Sequence, residues 1–422
     1  MDLPDLGSST GADHCQADIR PSGTVTLPAH SEYHMCILFA DGREVRMGSG
    51  YAGLVEKRVF ELPGAFKTIA GETIEKVRVG WESIGTLNEA GTNAILIAHY
   101  NSGSSHFAGR YAKSDPLPGY WDAIVGPEKP LDTDRYFLVS VDSLCNVGIH
   151  DGHVVSTGPA SSDPATGKPY GMRFPRVQIR DFVNVQKALL DSLGVRRLHA
   201  VMGASMGSMQ AFEWAVAYPE VVDRVIGVVP GAYITDYSLL FLSLMRTMVM
   251  QDPDWRGGDY YGSKPPLAGL SSALRLMNSI SLCNEWGEAF FRRRLVDPPR
   301  DPTRGADTVF ASVAFVEDSA AKSVKVADAN HFLYVQRANE LFALGGKPSL
   351  EEGLALVRCP VLLLPATTDQ IFPLEETRKI RDILAAQGKA VDWFEIPGPL
   401  GHLGGAAGIG AAAPAIEAFL DR

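Results

Sequence analysis

Short apolar runs alternate with helix-periodic segments along much of this 422-residue chain. From residue 55 to residue 232 the apolar runs are rich in β-branched side chains, which favours buried strands. The segments between them repeat apolar positions every three to four residues, which favours helices. The same alternation returns over residues 356–422. The pattern predicts an α/β core from residues 55–232 and 356–422, with a mostly parallel sheet and helices on both faces.

Apolar periodicity and the residues that end each segment predict the individual elements. Strands are expected at Val77–Trp81, Ala94–His99, Tyr136–Val141, Leu198–Met202, Val225–Val229, Val361–Leu364 and Val391–Ile396. Core helices are expected at Phe182–Leu193, Gly207–Tyr218 and Ala411–Leu420.

Two regions interrupt the alternation. Residues 1–54 are rich in Gly, Ser, Asp and Pro without a sustained period, which predicts a partly disordered N-terminal extension. Residues 233–355 lose the strand pattern, and we expect them to form an inserted helical lid. Helical spacing occurs there at Leu239–Met250, Ser271–Ser281 and Ala329–Leu344.

Composition and charge exclude some classes of function. The net charge of -10 argues against a general binder of nucleic acid or of anionic membranes. No run of about eighteen apolar residues occurs, so no membrane span is expected, and the N-terminus lacks a signal-peptide pattern. The five cysteines form no C-x-x-C pair and are odd in number, which argues against a disulfide framework or a zinc site. We therefore expect a cytoplasmic protein without a metal.

One motif carries clear chemistry, the G-x-S-x-G pentapeptide Gly203-Ala204-Ser205-Met206-Gly207, between a predicted strand and a predicted helix. In the α/β-hydrolase fold this order forms the nucleophile elbow, a sharp turn that exposes the serine hydroxyl above the sheet. A second match at residues 7–11 has neither a strand before it nor a helix after it, so we attribute it to composition. The alternative for Ser205 is a small-residue turn used only for packing.

A serine hydroxyl needs a base, and the base needs an acid that orients it. In this fold the chain order is serine, acid, histidine. Asp369 follows the predicted strand Val361–Leu364, and His402 follows Val391–Ile396. We therefore expect Ser205, Asp369 and His402 to form a catalytic triad. The alternatives are a turn or cap role for the aspartate and an exposed loop position for the histidine.

Acyl transfer also needs two backbone N–H donors for the oxyanion. One is expected from Met206, directly after the nucleophile. The other is expected from the loop His99-Tyr100-Asn101-Ser102-Gly103, with Asn101 as the candidate. We interpret His99 as a structural side chain packed beside the elbow. The Gly-rich residues 408–413 lack a complete βαβ unit, so we do not interpret them as a nucleotide site.

Several longer segments resemble the homoserine O-acetyltransferase family of α/β-hydrolases, from about Val59 to the last helix. The similar segments are Gly119–Asp122, Leu131–Phe137, Ser156–Pro159, Asp163–Gly171, Gly203–Ala211, Gln251–Trp255, Gly258–Tyr260, Asp328–Asn330 and Asp369–Pro373. The resemblance implies the triad named above, an acetyl-enzyme intermediate, and a helical lid over a deep site that often contributes to a homodimer. It implies acetyl-CoA as a co-substrate if the protein is a transferase, and no other cofactor.

Three positions depart from the family's homoserine enzymes. Leu403 follows the expected base where those enzymes carry Asp, and the loop containing Asn101 replaces their His-Ala-Leu-Thr-Gly. Met245 replaces a Gln, whereas Arg246 is kept. Arg246 is a candidate for binding a substrate carboxylate or for a structural ion pair within the lid. Loss of the acid beside the base disfavours a zwitterionic acceptor, because its buried ammonium would stay unpaired.

The sequence therefore predicts a serine acyl-enzyme catalyst. Our first expectation is hydrolysis of a small-molecule ester with a short, acetyl-type acyl group, which water then releases. The alternatives are acyl transfer from acetyl-CoA to homoserine or another alcohol, and a non-catalytic interaction protein on the same fold.

Overall fold

The computed structural model describes residues 51–296, 301, 303, 305 and 309–422. All but the last four residues of the predicted extension 1–54 lie outside this range, as does the second serine motif at residues 7–11. Between residues 233 and 355 the described chain forms helices and turns, with no β-structure beyond isolated bridges. The division into core and lid stays a prediction.

Ten strands occur in the described residues. They are β1 (Arg58–Glu61), β2 (Phe66–Lys67), β3 (Thr73–Ile74), β4 (Arg78–Ile84), β5 (Ala94–Ala98), β6 (Phe137–Val141), β7 (Leu198–Ser205), β8 (Val225–Pro230), β9 (Val361–Leu364) and β10 (Val391–Trp393). Eight of them form one sheet in the order β1-β4-β6-β5-β7-β8-β9-β10, while β2 and β3 pair separately. Within the eight-stranded sheet, β4 runs antiparallel to both of its neighbours and the other pairings are parallel. The separate pair of β2 and β3 is antiparallel. The predicted mostly parallel α/β sheet is confirmed.

Eleven α-helices accompany the strands in the described ranges. They are α1 (Ile179–Ser192), α2 (Met206–Ala217), α3 (Asp236–Met250), α4 (Leu267–Ser281), α5 (Asn284–Phe290), α6 (Ala311–Ser323), α7 (Ala329–Glu340), α8 (Leu350–Ala355), α9 (Leu374–Ala386), α10 (Gly404–Ala407) and α11 (Ala413–Leu420). No single helix of the described chain is long and apolar enough to cross a membrane. The bent pair Gly401–Ala407 and Ile409–Leu420 passes that test when its two parts are taken together.

Most predicted segments are confirmed, with ends displaced by a few residues. The predicted strand Val361–Leu364 coincides with β9. Helix α3 begins at Asp236, earlier than predicted, because the Thr235 side chain caps it by accepting the N–H of Ser238. The predicted helix Ala329–Leu344 ends at Glu340 in α7. Helices α5, α6, α8 and α10 were not predicted, and no bounds were predicted for α9.

The core lies in two layers, one on each face of the sheet, because successive strand residues point to opposite sides. One layer contains Leu96, Val201, Val225 and Leu363, packed with Phe182 of α1 and Phe212 of α2. The other contains Ile97, Met202, Ile226 and Leu364, packed with Ile416 and Phe419 of α11. Helices therefore cover both faces, as predicted.

A buried ionic cluster joins the chain before β1 to strand β4 and to the residue directly after β6. Lys57 Nζ lies 2.8 Å from Glu82 Oε1 and 3.4 Å from Asp142 Oδ2. Asp142 also accepts the backbone N–H of Ser105 at 2.7 Å. Burial favours the neutral form of Glu82, but the hydrogen bond from His106 and the charge of Lys57 outweigh it and lower the pKa of Glu82 to about 2. The cluster fixes the chain that follows the loop after β5.

We predict that Glu82→Gln lowers the free energy of unfolding by about 3 kcal/mol, because breaking a buried ion pair leaves Lys57 poorly compensated. Because the folded protein lowers the pKa of Glu82, the ionised carboxylate stabilises the wild-type protein at pH values above its ordinary pKa of 4.5. This stabilisation is lost as the pH falls toward 2. Urea unfolding between about pH 6 and pH 3 measures both effects, and the variant should show the smaller pH dependence. Glu61→Gln, which removes an exposed partner of Lys76, is the control. Equal losses in the two variants would contradict the prediction.

Candidate active site

Ser205 lies at the sharp turn between β7 and α2. Its backbone has φ 57° and ψ -120°, a conformation that costs residues other than glycine about 1–3 kcal/mol. Close packing by small residues holds the turn. A Cβ on Gly203 would overlap the carbonyl oxygen of Gly207, and a Cβ on Gly207 would overlap that of Ala98. The sequence requirement for glycine at both positions therefore has a direct steric cause.

Ser208 fastens this turn to the neighbouring strand. Its hydroxyl donates to the carbonyl oxygen of Ser205 at 2.6 Å and accepts the N–H of Gly231 at 2.9 Å. Gly231 directly follows β8, whose residue Pro230 lies opposite Ser205 in the sheet. The Ser208 side chain is fully buried, so its loss would leave both backbone groups without this partner.

Asp369 and His402 meet through a direct hydrogen bond. His402 Nδ1 lies 2.8 Å from Asp369 Oδ2, and the carboxylate side chain is completely buried. The other carboxylate oxygen accepts the N–H groups of Ile371 and Phe372 at 2.8 and 3.1 Å. An Nδ1–H bonded to a carboxylate leaves Nε2 of the imidazole with a lone pair for a proton. This is the arrangement that a general base requires.

The loop carrying His402 returns to the strand that carries Ser205. Helix α10, which begins two residues after His402, packs against β7 and β8. Trp121 Nε1 donates to the carbonyl oxygen of Gly405 in this helix at 2.9 Å. Ser205 is the last residue of the parallel strand β7, and Asp369 and His402 follow the parallel strands β9 and β10. Within the described residues no hydrogen bond joins the Ser205 hydroxyl to the imidazole, and the serine–histidine pair stays a prediction.

The loop after β5 forms a tight turn, closed by a 2.9 Å hydrogen bond from the Gly103 N–H to the Tyr100 carbonyl oxygen. His99 Nδ1 contacts the same oxygen at 2.8 Å, and His99 Nε2 accepts the N–H of Ser143 at 3.0 Å. Burial lowers the pKa of His99, which favours a neutral ring with its proton on Nδ1. Its position agrees with our interpretation of His99 as a structural side chain.

A chain of buried side-chain hydrogen bonds supports this turn and was not predicted from the sequence. Trp214 Nε1 donates to Gln186 at 2.7 Å, Gln186 donates to Gln210 at 2.7 Å, and Gln210 donates to the carbonyl oxygen of His99 at 3.1 Å. All four residues are at most 1% exposed. The sequence signal for this chain of hydrogen bonds was the pair Gln210 and Trp214. Their polar side-chain groups lie one helical turn apart just after the elbow.

The two expected oxyanion donors have no competing acceptors. Among the hydrogen bonds of the described chain, none uses the backbone N–H of Asn101 or of Met206 as its donor. Met206 is the first residue of α2, where N–H groups lack intrahelical partners and the helix dipole favours negative charge. Both groups are therefore available to a ligand oxygen. Their role as an oxyanion hole stays a prediction.

Arg246 lies in an ion pair. Its Nε donates to Glu340 Oε1 at 2.6 Å, and Arg337 donates to the other oxygen of the same carboxylate at 2.7 Å. Glu340 is 4% exposed at its side chain, so the pair is held tightly. This is the structural alternative that the sequence left open. Binding of a substrate carboxylate by Arg246 stays a prediction.

Over the described ranges, no group of three or more His, Cys, Asp or Glu side chains is arranged to hold a metal ion. Cys145, Cys283 and Cys359 are free thiols.

Comparison with known proteins places this fold and site in a family. A family model described as alpha/beta hydrolase fold matches residues 152–397. The homoserine O-acetyltransferase of Symbiobacterium thermophilum is 38% identical over 79% of this chain and 86% of that protein. The homoserine O-acetyltransferase of Carboxydothermus hydrogenoformans is 35% identical over 88% of this chain and 97% of that protein.

Solved structures agree with the sequence relatives. The crystal structure of esterase E22 matches with a TM-score of 0.82 and 43% identity, covering 87% of this chain and all of that one. A homoserine O-acetyltransferase from Bacillus anthracis matches with a TM-score of 0.82 and 35% identity, covering 88% of this chain and 98% of that one. The molecule is an enzyme of the α/β-hydrolase class. Within that class the chain belongs to the homoserine O-acetyltransferase family.

We predict that Asp369→Asn slows labelling of Ser205 by a fluorophosphonate by about 10³-fold or more, because the imidazole loses the partner that sets its tautomer. The rate of covalent labelling, followed by mass spectrometry, measures this directly. Asp392→Asn is the control, since Asp392 pairs with Arg422 at the surface. A labelling rate within fivefold of wild type in Asp369→Asn would contradict the assignment.

Proposed function

We propose that this protein is a serine esterase that hydrolyses small esters with a short, acetyl-type acyl group. The observation that carries the proposal is Leu403, an apolar residue directly after the expected base His402. The α/β-hydrolase fold and the relationship to homoserine O-acetyltransferases support a serine acyl-enzyme. That water is the acyl acceptor is our proposal.

In the proposed reaction, His402 Nε2 removes the proton from Ser205 Oγ as this oxygen attacks the ester carbonyl carbon. The carbonyl oxygen becomes negatively charged and accepts the N–H groups of Met206 and Asn101. The intermediate then collapses, and the imidazolium gives its proton to the departing alcohol. Asp369 stabilises the imidazolium throughout. Each oxyanion donor is worth roughly 2.7–4 kcal/mol of transition-state stabilisation.

Water completes the cycle. His402 removes a proton from the water molecule as its oxygen attacks the acyl carbon of the acyl-enzyme. The second tetrahedral intermediate uses the same N–H donors. Its collapse returns the proton to Ser205 Oγ and releases the carboxylic acid. No group beyond this chain and water takes part.

Leu403 supports water over an amino-acid acceptor. It lies with His402 in the short turn Gly401–Leu403 and is partly buried. An ammonium group entering this site needs a carboxylate, since an unpaired buried charge is costly. Asp369, the acid bonded to His402, already accepts the imidazole and two backbone N–H groups. A neutral alcohol portion or water therefore suits the site better than a zwitterion.

Acyl transfer from acetyl-CoA is the second candidate. The homoserine O-acetyltransferases of Symbiobacterium thermophilum and Carboxydothermus hydrogenoformans align over most of this chain. The same Ser205 acyl-enzyme would form from a thioester, and an alcohol would replace water as the acyl acceptor in the second half of the reaction. The identity of the acceptor thus separates the two functions.

We predict that the purified protein releases acetate from p-nitrophenyl acetate without CoA, and that Ser205→Ala lowers this rate by about 10⁴-fold or more. Acetyl-CoA with homoserine should give no CoA release above the rate with water alone. Leu403→Asp should slow ester hydrolysis and provide a carboxylate for the ammonium group of an amino-acid acceptor. Leu400→Asp, in the same loop, is the control for the added charge. Homoserine-dependent release of CoA by the wild-type protein would overturn hydrolysis as the main activity.

We also propose a homodimer formed through α3, in a cytoplasmic protein. Tyr237, Leu240 and Leu244 lie on one face of this helix and are 60%, 67% and 46% exposed. Their spacing of three and four residues places them side by side. Such a contiguous apolar face is typical of an interaction surface.

Sedimentation velocity at micromolar concentration should show a dimer, and Leu240→Glu should shift it to a monomer because a charge would be buried at the contact. Ile69→Glu is the control, since Ile69 is an exposed apolar residue outside α3. A wild-type monomer, or equal dissociation in both variants, would refute a dimer through this helix.

A further inference from the structure

The side chain of Asn101, the expected second oxyanion residue, is held by helix α7. Its Oδ1 accepts Asn339 Nδ2 at 3.0 Å and Gln336 Nε2 at 3.4 Å. Asn339 is 5% exposed and Gln336 is 1% exposed. Two buried amides from a distant part of the chain therefore converge on one oxygen atom of the turn after β5.

Asn339 is itself oriented. Its Nδ2 group also donates to the carbonyl oxygen of Val335, one turn earlier in α7, at 3.0 Å. Both hydrogens of this amide therefore have acceptors, one in its own helix and one in the turn. An amide with both donors in use has little freedom to rotate, so Asn101 receives a directed hydrogen bond.

Helix α7 is a rigid support for these amides, although it lies in the predicted lid. Ten of its twelve residues are buried. Asp328 caps its N-terminus by accepting the His331 N–H at 2.9 Å and also accepts the Tyr260 hydroxyl at 2.7 Å. His331 Nδ1 lies 2.9 Å from the Asn146 carbonyl oxygen. A helix buried and bonded in this way provides a fixed reference for the turn.

The backbone of the turn has its own anchors at the Tyr100 carbonyl oxygen. In a trans peptide the C=O of one residue and the N–H of the next point in opposite directions. The Gly103 N–H and His99 Nδ1 both contact the Tyr100 oxygen, and they therefore set the plane of the peptide that contains the Asn101 N–H. The hydrogen bonds from Gln336 and Asn339 of α7 hold the side chain of the same residue, Asn101. Together they restrict both rotation and translation of the N–H.

We propose that Asn339, assisted by Gln336, is a positioning residue for the oxyanion hole, acting through the carboxamide of Asn101. This inference rests on the proposed Ser205 acyl-enzyme. Asn339 does not touch the reacting atoms; it keeps the Asn101 N–H where the negative oxygen of the tetrahedral intermediate develops. A displacement near 1 Å in such a group is enough to cost about 10²-fold in rate.

The kinetic signature follows from where the charge develops. The oxyanion exists in the tetrahedral intermediate and not in the bound ester, so a misplaced donor lowers kcat while KM stays nearly unchanged. We expect Asn339→Leu, which keeps the side-chain size, to lower kcat by about 10- to 100-fold. A boronic acid, which forms a charged tetrahedral adduct with Ser205, should bind more weakly by a similar factor.

The controls separate positioning from folding. Arg337→Gln lies on the same helix but removes an exposed partner of Glu340, and it should leave kcat within twofold of wild type. Asn101→Ala keeps the backbone N–H and removes the acceptor that Asn339 uses. In the Asn101→Ala background, Asn339→Leu should therefore cost less than about threefold, since residues that act as one unit are not additive. Thermal unfolding of each variant identifies any loss of folded protein.

Several outcomes overturn the inference. They are an unchanged kcat in Asn339→Leu, a change confined to KM, or full additivity with Asn101→Ala. If Asn339→Leu does not fold, Gln336→Met replaces it, and it should show a smaller kcat effect of the same kind. Fluorophosphonate labelling of Ser205 uses the same donors, so it tests Asn339 even if the wild-type protein hydrolyses no ester. A slowed label without esterase activity would refute hydrolysis and keep the positioning role.

Discussion

The backbone conformation of Ser205 is the constraint on which the site depends. A φ of 57° turns the chain from β7 directly into α2, so the hydroxyl and the free Met206 N–H lie at the same edge of the sheet. Gly203 and Gly207 allow the close packing that holds this strained turn, and Ser208 bonds it to the end of β8. Strain at one residue thereby positions the expected nucleophile and an expected oxyanion donor together.

The remaining groups of the site are held by buried polar contacts rather than by loops alone. Asp369 receives two backbone N–H groups besides the imidazole of His402. The turn after β5 is bonded to Gln210 below it and to Asn339 beside it. Polar groups buried without partners are costly, so each of these bonds also stabilises the fold. The hydrogen bonds that position the groups of the site are therefore the same ones that give its buried polar groups their partners.

Sequence patterns predicted those features of the molecule that depend on residues close together in the chain or on the order of its elements. The strand–turn–helix setting of Ser205 and the positions of Asp369 and His402 after strands follow from chain order. The contact between Asn339 and Asn101 spans 238 residues, and no sequence spacing signals it. The ion pair of Arg246 with Glu340 spans 94 residues and was only one of two alternatives. Helices α5 and α8, of seven and six residues, were missed because such short helices are stabilised by tertiary packing more than by their own periodicity.

The identity of the covalent intermediate distinguishes the proposed Ser205 mechanism from other routes of ester cleavage. The protein is mixed with p-nitrophenyl acetate, quenched in acid within the first turnover, digested and analysed by mass spectrometry. The Ser205 mechanism predicts one added acetyl group, located on Ser205 and formed at the rate of the burst of p-nitrophenol. An acetyl group on another residue, or ester cleavage by the wild-type protein with no acetylated Ser205 under any quench time, would contradict it.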